Sequence, residues 1–249
     1  MTLGTKADLD QVLGWLEREF TDGVNDFWYN RRLIAKAVDE GDFYVVRDGG
    51  EAVAFQIGHY AADIANVRKD RQGEGFGTAL LEAAVARAYR DGINVLDVEC
   101  APATSLTFWQ RHGFERYSQR GQLRARRVLQ RSTELPSDLP RHTVTITFYP
   151  ERITYERDEH VEPQSVHEAV GALKPDGTLM LDHRVIGFDD AGPEGGEVAV
   201  KVEVDGDVLY LGRAKYADEA GVQRDWKGGA FYVDAVKLGE GWCRLSDSN

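Results

Sequence analysis

The sequence predicts an α/β domain of three layers over residues 1–131, a linker over residues 132–141 and a mostly antiparallel β domain over residues 142–249. In the first part, helical and strand-like patterns interleave along the chain. The linker has two prolines among small polar residues. Beyond it, apolar residues alternate with polar ones and helical patterns are weak, which is typical of a β-sandwich or a small barrel.

The elements of the first domain each follow from a local pattern. Asp8 is predicted to cap a first helix, because the apolar residues after it recur at the helical period. A second helix over residues 25–40 is expected to end at Gly41. The other predicted elements are a hairpin of residues 43–46 and 52–57 with glycines at its turn, a strand at 64–67, a helix at 75–90, a strand at 95–100, a short helix at 104–112, and strands at 115–117 and 122–129.

The second domain is predicted from alternation with a period of two. Apolar residues alternate with threonines over residues 144–148, and valines alternate with polar residues over 198–204. Asp205-Gly206 after the second run indicates a hairpin turn. Further strands are expected at 178–188, 208–214 and 230–238, and a helical turn is expected near residues 164–173.

Composition narrows the class of function. The formal charge of −12 and the pI of about 5.0 argue against a general nucleic-acid binder, which needs clustered cations. Cys100 and Cys243 have no ligand-like spacing to each other or to histidines, so no metal site is expected. The N-terminus lacks the pattern of a signal peptide and no apolar run reaches the length of a membrane span, so a cytoplasmic location without membrane attachment is expected.

The glycine-rich stretch Gln72–Gly77 lies between a predicted strand and a predicted helix. Glycines let the backbone approach an anion closely, and the N–H groups at a helix start favour a phosphate there. The stretch lacks the third glycine of the dinucleotide-binding pattern, and it lacks the Gly-Lys-Ser/Thr of a P-loop. Its remaining interpretations are a diphosphate-binding turn or a merely tight connection.

The surrounding residues resemble the GNAT family of N-acetyltransferases. Residues 67–81 are similar to the family signature Gln/Arg-x-x-Gly-x-Gly/Ala, which is met by Gln72, Gly75 and Gly77. Residues 105–115 are similar to a second family segment, which lies beside the cofactor and ends in Gly-Phe. The resemblance covers about residues 1–130.

This resemblance implies an acetyltransferase fold with a mixed sheet whose central strands splay apart, and acetyl-CoA as cosubstrate without a metal. The backbone N–H groups of the glycine turn would hold the CoA diphosphate. The N–H of Val67 would bind the thioester carbonyl and later the oxyanion, which places Val67 in catalysis as well. The residues assigned to the cofactor are Val67, Gln72, Gly73, Glu74, Gly75, Phe76, Gly77, Thr78, Ser105 and Trp109.

The family reaction is direct attack of a neutral primary amine on the thioester in a ternary complex, which needs a base and an acid. Trp109 stands where the family commonly has a tyrosine as the acid, and an indole cannot supply that proton, so the acid is left unassigned. Glu99 is the first candidate base, if burial raises its pKa, and its alternative is a solvent-facing position. Asp63 and His59 are the other candidates, and a chain of waters is a further one.

The acceptor stays open among a small amine, a protein amine and the amine of an aminoacyl-tRNA. Seven arginines between residues 111 and 131 are interpreted as a solvent-exposed face of the domain, or alternatively as residues that bind a phosphate or RNA. The alternative function is a catalytically silent module that binds acyl-CoA and acts through the β domain. A homodimer is also left open.

Overall fold

The computed structural model describes residues 1–24, 27–58, 60, 64–119, 121–155, 161–189, 197–226 and 229–238. The chain divides into two compact units, Met1–Leu129 and Gln130–Asn249. Within the described ranges, no helix is long and apolar enough to cross a membrane.

The first unit has the predicted α/β class, with two antiparallel sheets and helices packed against them. The sheets have the strand orders β1-β2-β3-β4 and β5-β7-β6. The elements are β1 Thr2–Leu3, α1 Lys6–Thr21, α2 Arg31–Asp39, β2 Phe43–Asp48, β3 Glu51–Ile57, β4 Ile64–Val67, α3 Phe76–Arg90, β5 Val95–Glu99, α4 Leu106–Arg111, β6 Glu115–Gln119 and β7 Gln122–Val128.

The first helix begins with a reciprocal pair of hydrogen bonds. Thr5 is the N-cap, and its hydroxyl accepts a hydrogen bond from the backbone N–H of Asp8 at 3.3 Å. The Asp8 carboxylate accepts one from the Thr5 N–H at 2.7 Å. Asp8 is therefore the third residue of a capping box rather than the predicted cap. The Arg47 guanidinium also donates to Asp8 at 2.7 Å, which ties α1 to β2.

The predicted second helix divides into two parts. Phe27–Asn30 form a 3-10 turn and α2 starts only at Arg31, while residues 25–26 lie outside the described residues. The helices α1 and α2 share one apolar core with strands β2, β3 and β4. Because side chains alternate along a strand, the side chains of β3 that enter this core fix the face of the sheet that α1 and α2 cover.

The strands β4 and β5 lie in different sheets. In the described residues β4 is hydrogen-bonded to β3 at the edge of the first sheet, and β5 is hydrogen-bonded to β7 at the edge of the second. The implied separation of the central strands is thus present, and it opens space between β4 and the segment that follows β5.

The second unit is built on one antiparallel sheet of seven strands in the order β12-β11-β8-β9-β10-β14-β13. The predicted turn Asp205-Gly206 is confirmed, with both residues at positive φ, 51° and 91°. The strands are β8 Arg141–Pro150, β9 Ser165–Leu173, β10 Thr178–Phe188, β11 Val198–Val204, β12 Asp207–Arg213, β13 Val222–Asp225 and β14 Ala230–Lys237.

The helical turn expected near residues 164–173 is wrong, because these residues form strand β9. Pairing with β8 decides the conformation, with Ser165 opposite Phe148 and Val170 opposite Thr143. The backbone at Gly171 lies so close to Leu179 that a Cβ there would be 2.5 Å from its Cγ. Tertiary contacts have overridden the local pattern.

The predicted linker is not a free connection. Thr133 N–H donates to the carbonyl of Asp182 at 2.7 Å, and Arg184 N–H donates to the carbonyl of Arg131 at 2.8 Å. Ser132 forms an isolated β-bridge with His183 between these two bonds. The unit boundary falls at Leu129/Gln130, so this segment belongs to the second unit.

Candidate active site

A cavity of about 500 Å³ opens in the first unit between strand β4, the start of α3 and the segment after β5. Its lining comes from elements far apart in sequence, which meet because the two sheets separate here. The described lining residues are Phe27, Ala65, Asn66, Val67, Arg71, Gln72, Gly73, Gly75, Phe76, Gly77, Thr78, Leu80, Leu81, Ala101, Pro102, Thr104, Ser105, Phe108 and Trp109.

The glycine turn forms one end of this cavity. Gly73 and Gly75 have φ of 85° and 90°, a left-handed backbone that other residues adopt only with strain. Gly75 is the N-cap of α3, and no protein atom lies within 4 Å of the position that a Cβ would take there. Among the described residues, the backbone N–H groups of residues 73–78 have no protein acceptor. The turn therefore presents free donors at the positive end of a helix dipole, which suits an anion.

Arg71 borders the same end and holds the acidic side chains near it. Its guanidinium donates to the carboxylates of Asp48 and Glu74, each at 2.7 Å, and lies over the Phe76 ring with 5.1 Å to the centroid. The hydrogen bond from Arg71 lowers the pKa of Glu74, and the same bond raises the pKa of Arg71. The predicted cofactor residue Glu74 thus points to Arg71 and is not among the described lining residues.

Gly77 lies where α3, α4 and β4 come together at the cavity. A Cβ on Gly77 would lie 3.4 Å from the Phe108 ring and 3.6 Å from Val67 Cγ2. Its φ is not in the left-handed region, so its requirement differs from that of Gly75. A Cβ on Gly77 would make only ordinary van der Waals contacts, so the backbone requires glycine at Gly75, for the turn, and not at Gly77.

Strand β4 turns two backbone donors toward the separation between the sheets. Arg68 N–H donates to Val53 O of β3 at 2.9 Å, and in an antiparallel ladder every second residue bonds the same partner. The N–H groups of Ala65 and Val67 therefore point away from β3. The Gln72 side-chain amide donates to the Val67 carbonyl at 3.2 Å, which fixes the peptide next to the predicted oxyanion donor.

Trp109 forms a wall of the cavity and part of the core below it. Its side chain is only 9% exposed, and its ring centroid lies 5.1 Å from those of Phe108 and of Phe114. Ser105 also lines the cavity, and its hydroxyl is buried beside the Cys100 thiol without a hydrogen bond of normal geometry.

Of the predicted proton carriers, the structure describes Glu99, and Glu99 does not line the cavity. Glu99 is exposed, and its carboxylate accepts a hydrogen bond from the Gln122 amide at 3.4 Å on the sheet surface. The burial on which that prediction depended is therefore missing. Asp63 and His59 lie outside the described residues. Tyr117 donates to the Asp97 carboxylate, and burial together with this carboxylate raises the pKa of Tyr117 to about 12.

Several described lining residues were not among the residues assigned to the cofactor from the sequence. Phe27, Asn66, Arg71 and Phe108 border the cavity beside the predicted set. Arg71 and Phe108 lie within the two recognised segments, residues 67–81 and 105–115, so their place in those segments is a sequence signal that could have found them. Phe27 and Asn66 reach the cavity only through tertiary structure.

The arginines near the end of the first unit are partly explained by the surface of the second sheet. Arg124 donates to the Asp97 carboxylate through Nε at 2.8 Å, and Arg126 lies over the Tyr117 ring. Among the residues that the structure describes, no group of three or more histidine, cysteine or acidic side chains is placed to hold a metal ion.

A comparison with known protein families identifies the class of domain that contains this site. Residues 39–116 match the family model of the acetyltransferase (GNAT) domain, and this range holds β4, the glycine turn, α3 and α4. No curated protein shows a significant sequence match to the chain.

Solved structures that resemble the chain include three acetyltransferases. Ribosomal-protein-alanine N-acetyltransferase from Brucella melitensis is 18% identical, with 51% of this chain and 98% of that one covered and a TM-score of 0.39. A GNAT family acetyltransferase from Elizabethkingia anophelis with acetyl-CoA bound is 16% identical, with 39% and 82% covered and a TM-score of 0.30. A GCN5-related N-acetyltransferase from Kribbella flavida is 13% identical, with 96% and 83% covered and a TM-score of 0.38.

The first unit is thus an α/β domain with a cavity where its two sheets separate. It carries a GNAT acetyltransferase domain, and the protein is an acyltransferase.

Proposed function

We propose that the protein is an N-acetyltransferase that transfers the acetyl group of acetyl-CoA to a primary amine by direct attack in a ternary complex. The observation that carries this proposal is the set of unpaired N–H groups of residues 73–78 at one end of a cavity inside a GNAT domain. A diphosphate is the anion that uses several such donors at once.

The cofactor would lie along the cavity from the glycine turn to strand β4. Gln72, Gly73, Gly75, Phe76, Gly77 and Thr78 border its diphosphate end, and Ser105 and Trp109 border the opposite wall of the pantetheine path. Arg71 is close enough to the same end to exchange a carboxylate partner for a phosphate, since guanidinium groups fit both.

The thioester carbonyl would accept a hydrogen bond from the Val67 N–H. That N–H points away from β3, and the Gln72 amide holds the following carbonyl group in place. A fixed donor stabilises the negative charge that grows on the carbonyl oxygen during attack, an effect worth about 3 kcal/mol in other enzymes.

The proton chemistry follows from what the described lining lacks. It contains no carboxylate and no histidine, and its one charged side chain among the described residues is Arg71. We therefore assign no protein base among these residues. We expect the amine to lose its ammonium proton to solvent before it binds and to react in its neutral form. Asp63 stays a candidate base, while Glu99 is too exposed for the predicted role.

The decisive experiment is isothermal titration of the purified protein with acetyl-CoA and with CoA. A Gly75→Glu variant places a side chain and a negative charge at the diphosphate position, and we expect it to bind at least about 100-fold more weakly. Gly92→Glu is the matched control, because Gly92 also has positive φ, 75°, and no atom within 4 Å of its Cβ position. It adds the same charge and the same backbone strain at the far end of α3.

Binding that is lost in Gly75→Glu and kept in Gly92→Glu supports the proposal. Release of free thiol when amines are added then separates a transferase from a protein that only binds acyl-CoA. Failure of the folded wild-type protein to bind either compound would overturn the proposal.

For the second unit we propose an accessory role in recognition of the acceptor or in assembly. The support for this role is that the described lining of the cavity comes entirely from the first unit, which leaves the second unit without a part in cofactor binding. Unchanged acceptor kinetics and an unchanged oligomeric state after removal of residues 130–249 would remove this role.

A further inference from the structure

Arg71 is the one charged side chain in the described lining of the cavity, and two of its guanidinium nitrogens are already occupied. Its Nε donates to both carboxylate oxygens of Glu74 at 3.0 Å. Its Nη2 donates to Glu74 and to Asp48, each at 2.7 Å. Neither of these acidic residues is among the described lining residues, so the two carboxylates hold one edge of the guanidinium from outside the cavity.

The third guanidinium nitrogen, Nη1, is the free edge of this side chain. Within the described residues it makes no hydrogen bond, and it is not one of the polar side-chain atoms that are closed off from solvent. This nitrogen carries two N–H donors. Because Arg71 lines the cavity, a bound molecule can use these two donors without displacing either carboxylate.

Contacts on two sides fix the direction of this free edge. The guanidinium lies over the Phe76 ring, with 5.1 Å to the centroid, so the ring supports its flat face. Asp48 is the last residue of β2 and Glu74 belongs to the glycine turn, so the carboxylates come from two separate elements. A rigid planar group that is held on one face and along one edge keeps its opposite edge in one direction.

The net charge of this cluster does not by itself favour an anion. One guanidinium and two carboxylates leave one negative charge, which repels a diphosphate. The side chains of Asp48 and Glu74 are 53% and 47% exposed, however, so water and salt screen this repulsion. Hydrogen bonds from a cation to an anion are strong when the donors are aimed at it. The effect of the cluster on binding therefore depends on where the guanidinium points.

We propose that Glu74 and Asp48 are positioning residues for the cofactor, which hold Arg71 so that its Nη1 donors contact the diphosphate of CoA. This inference rests on the proposed function, in which the diphosphate lies at the N–H groups of the glycine turn. Glu74 itself does not touch the cofactor. The ion pair persists at neutral pH, because the hydrogen bond from Arg71 lowers the pKa of Glu74. The alternative is an exchange, in which the diphosphate takes the place of Glu74 on Arg71.

Positioning and exchange predict opposite effects of Glu74→Gln. The change removes a negative charge from the turn and frees Arg71, so exchange predicts tighter binding of CoA. Positioning predicts weaker binding, because the neutral amide no longer fixes the guanidinium edge and the order of the free site is lost. We expect the Kd for CoA to rise about 5-fold.

The test is a double-mutant cycle of full-length proteins, titrated calorimetrically with CoA. The four proteins are the wild type, Glu74→Gln, Arg71→Gln and the double variant. Arg71→Gln should raise Kd about 10-fold, because it removes donors that carry a charge. Glu74→Gln should cause no further loss when Arg71→Gln is present, since no guanidinium is left to position. Arg71→Lys should bind as weakly as Arg71→Gln, because an ammonium keeps the charge but has no second edge.

Asp70→Asn is the matched control. The Asp70 carboxylate accepts a hydrogen bond from Arg68 at 2.7 Å, and Arg68 is not among the described lining residues. The substitution removes the same charge near the turn and leaves the contacts of Arg71 in place, so Kd should change less than about 2-fold. Dephospho-CoA, which lacks the 3′-phosphate, is titrated in parallel. An equal loss from Arg71→Gln with both ligands assigns the contact to the diphosphate.

Tighter binding by Glu74→Gln would overturn the proposal in favour of exchange. An equal loss from Glu74→Gln with and without Arg71 would also overturn it, because Glu74 would then support the turn itself. Wild-type affinity in Arg71→Lys would reduce Arg71 to its charge, and a loss confined to CoA would place its contact at the 3′-phosphate. Thermal unfolding without ligand shows that each variant is folded. Failure of the folded wild type to bind either ligand would instead refute the proposed function itself.

Discussion

Two glycines, one in each unit, have the same backbone conformation and opposite surroundings. Gly75 has φ 90° and ψ −3°, and Gly221 has φ 90° and ψ 4°. A Cβ on Gly221 would lie 1.9 Å from the carbonyl oxygen of Ala235, whereas a Cβ on Gly75 would meet no protein atom within 4 Å. In the second unit the left-handed turn at Gly221 packs tightly against the backbone of Ala235. In the first unit the left-handed turn at Gly75 leaves its backbone N–H groups open to solvent or to a ligand.

The sheets of the two units show the same contrast between open and closed packing. In the second unit the inward side chains of β8 and β11 are almost completely buried, and Phe148 fills the space over Gly187. In the first unit the sheet is interrupted between β4 and β5, and the backbone donors of β4 face that interruption. The first unit thus leaves backbone donors open at its cavity, whereas the described part of the second unit pairs and packs its strands.

The strongest test of this contrast is Gly221→Ala. We expect a loss of about 4 kcal/mol or more in the free energy of unfolding, because the left-handed backbone and the collision with Ala235 act together. Gly206→Ala is the matched control in the same unit, since Gly206 has φ 91° with no atom near its Cβ position. It should cost about 1 kcal/mol. Urea unfolding measures both, and equal losses would contradict a packing role for Gly221.

A smaller effect is expected at Asp8, where the first unit does satisfy a buried polar group. Burial acts to raise the pKa of this carboxyl, but hydrogen bonds from Arg47 and Thr5 outweigh it and lower the pKa to about 2. Stability from this group is present above its usual pKa near 3.8 and is lost as the pH falls through about 2. Asp8→Asn should therefore cost about 2 kcal/mol at neutral pH and progressively less toward pH 2.

The control for Asp8 lies in the second unit. Asp234 accepts a hydrogen bond from Arg184 at 2.7 Å, but its side chain is 42% exposed. Asp234→Asn should change stability by less than about 1 kcal/mol, because exposed ion pairs contribute little. Thermal unfolding of the three proteins between pH 2 and pH 7 makes the comparison. If the stability of Asp8→Asn depended on pH as that of the wild type does, the contact of Asp8 with Arg47 and Thr5 would not be the acid-sensitive one.

The smallest effect is expected at Tyr117. Burial and the Asp97 carboxylate raise its pKa to about 12, so the stability that depends on its protonated form is complete below pH 10 and is lost as the pH rises toward 12. Tyr117→Phe should lose stability less steeply than the wild type over that interval. Parallel curves would show that the Asp97–Tyr117 contact does not respond to pH.

The sequence was informative where the chemistry is local. Gln72, Gly75 and Gly77 lie within six residues of each other, so their spacing together with the family resemblance predicted a diphosphate-binding turn. Asn66 and Phe27 reach the cavity through the register of β4 on β3 and through a 3-10 turn, so neither can be placed there without the tertiary structure. The helical turn predicted near residues 164–173 was wrong for a related reason. These residues form strand β9, because pairing with β8 outweighs the local helical pattern.

Residues 131–133 bear on how the second unit could be isolated. A fragment that began at Arg141 would leave the Asp182 carbonyl and the Arg184 N–H without their backbone partners, and it would expose an unpaired strand edge. Such edges recruit other chains and promote aggregation. A protease that cuts before Gln130 would release a fragment with this edge still covered, whereas cleavage between Thr133 and Arg141 would separate the covering segment from the chain that follows it.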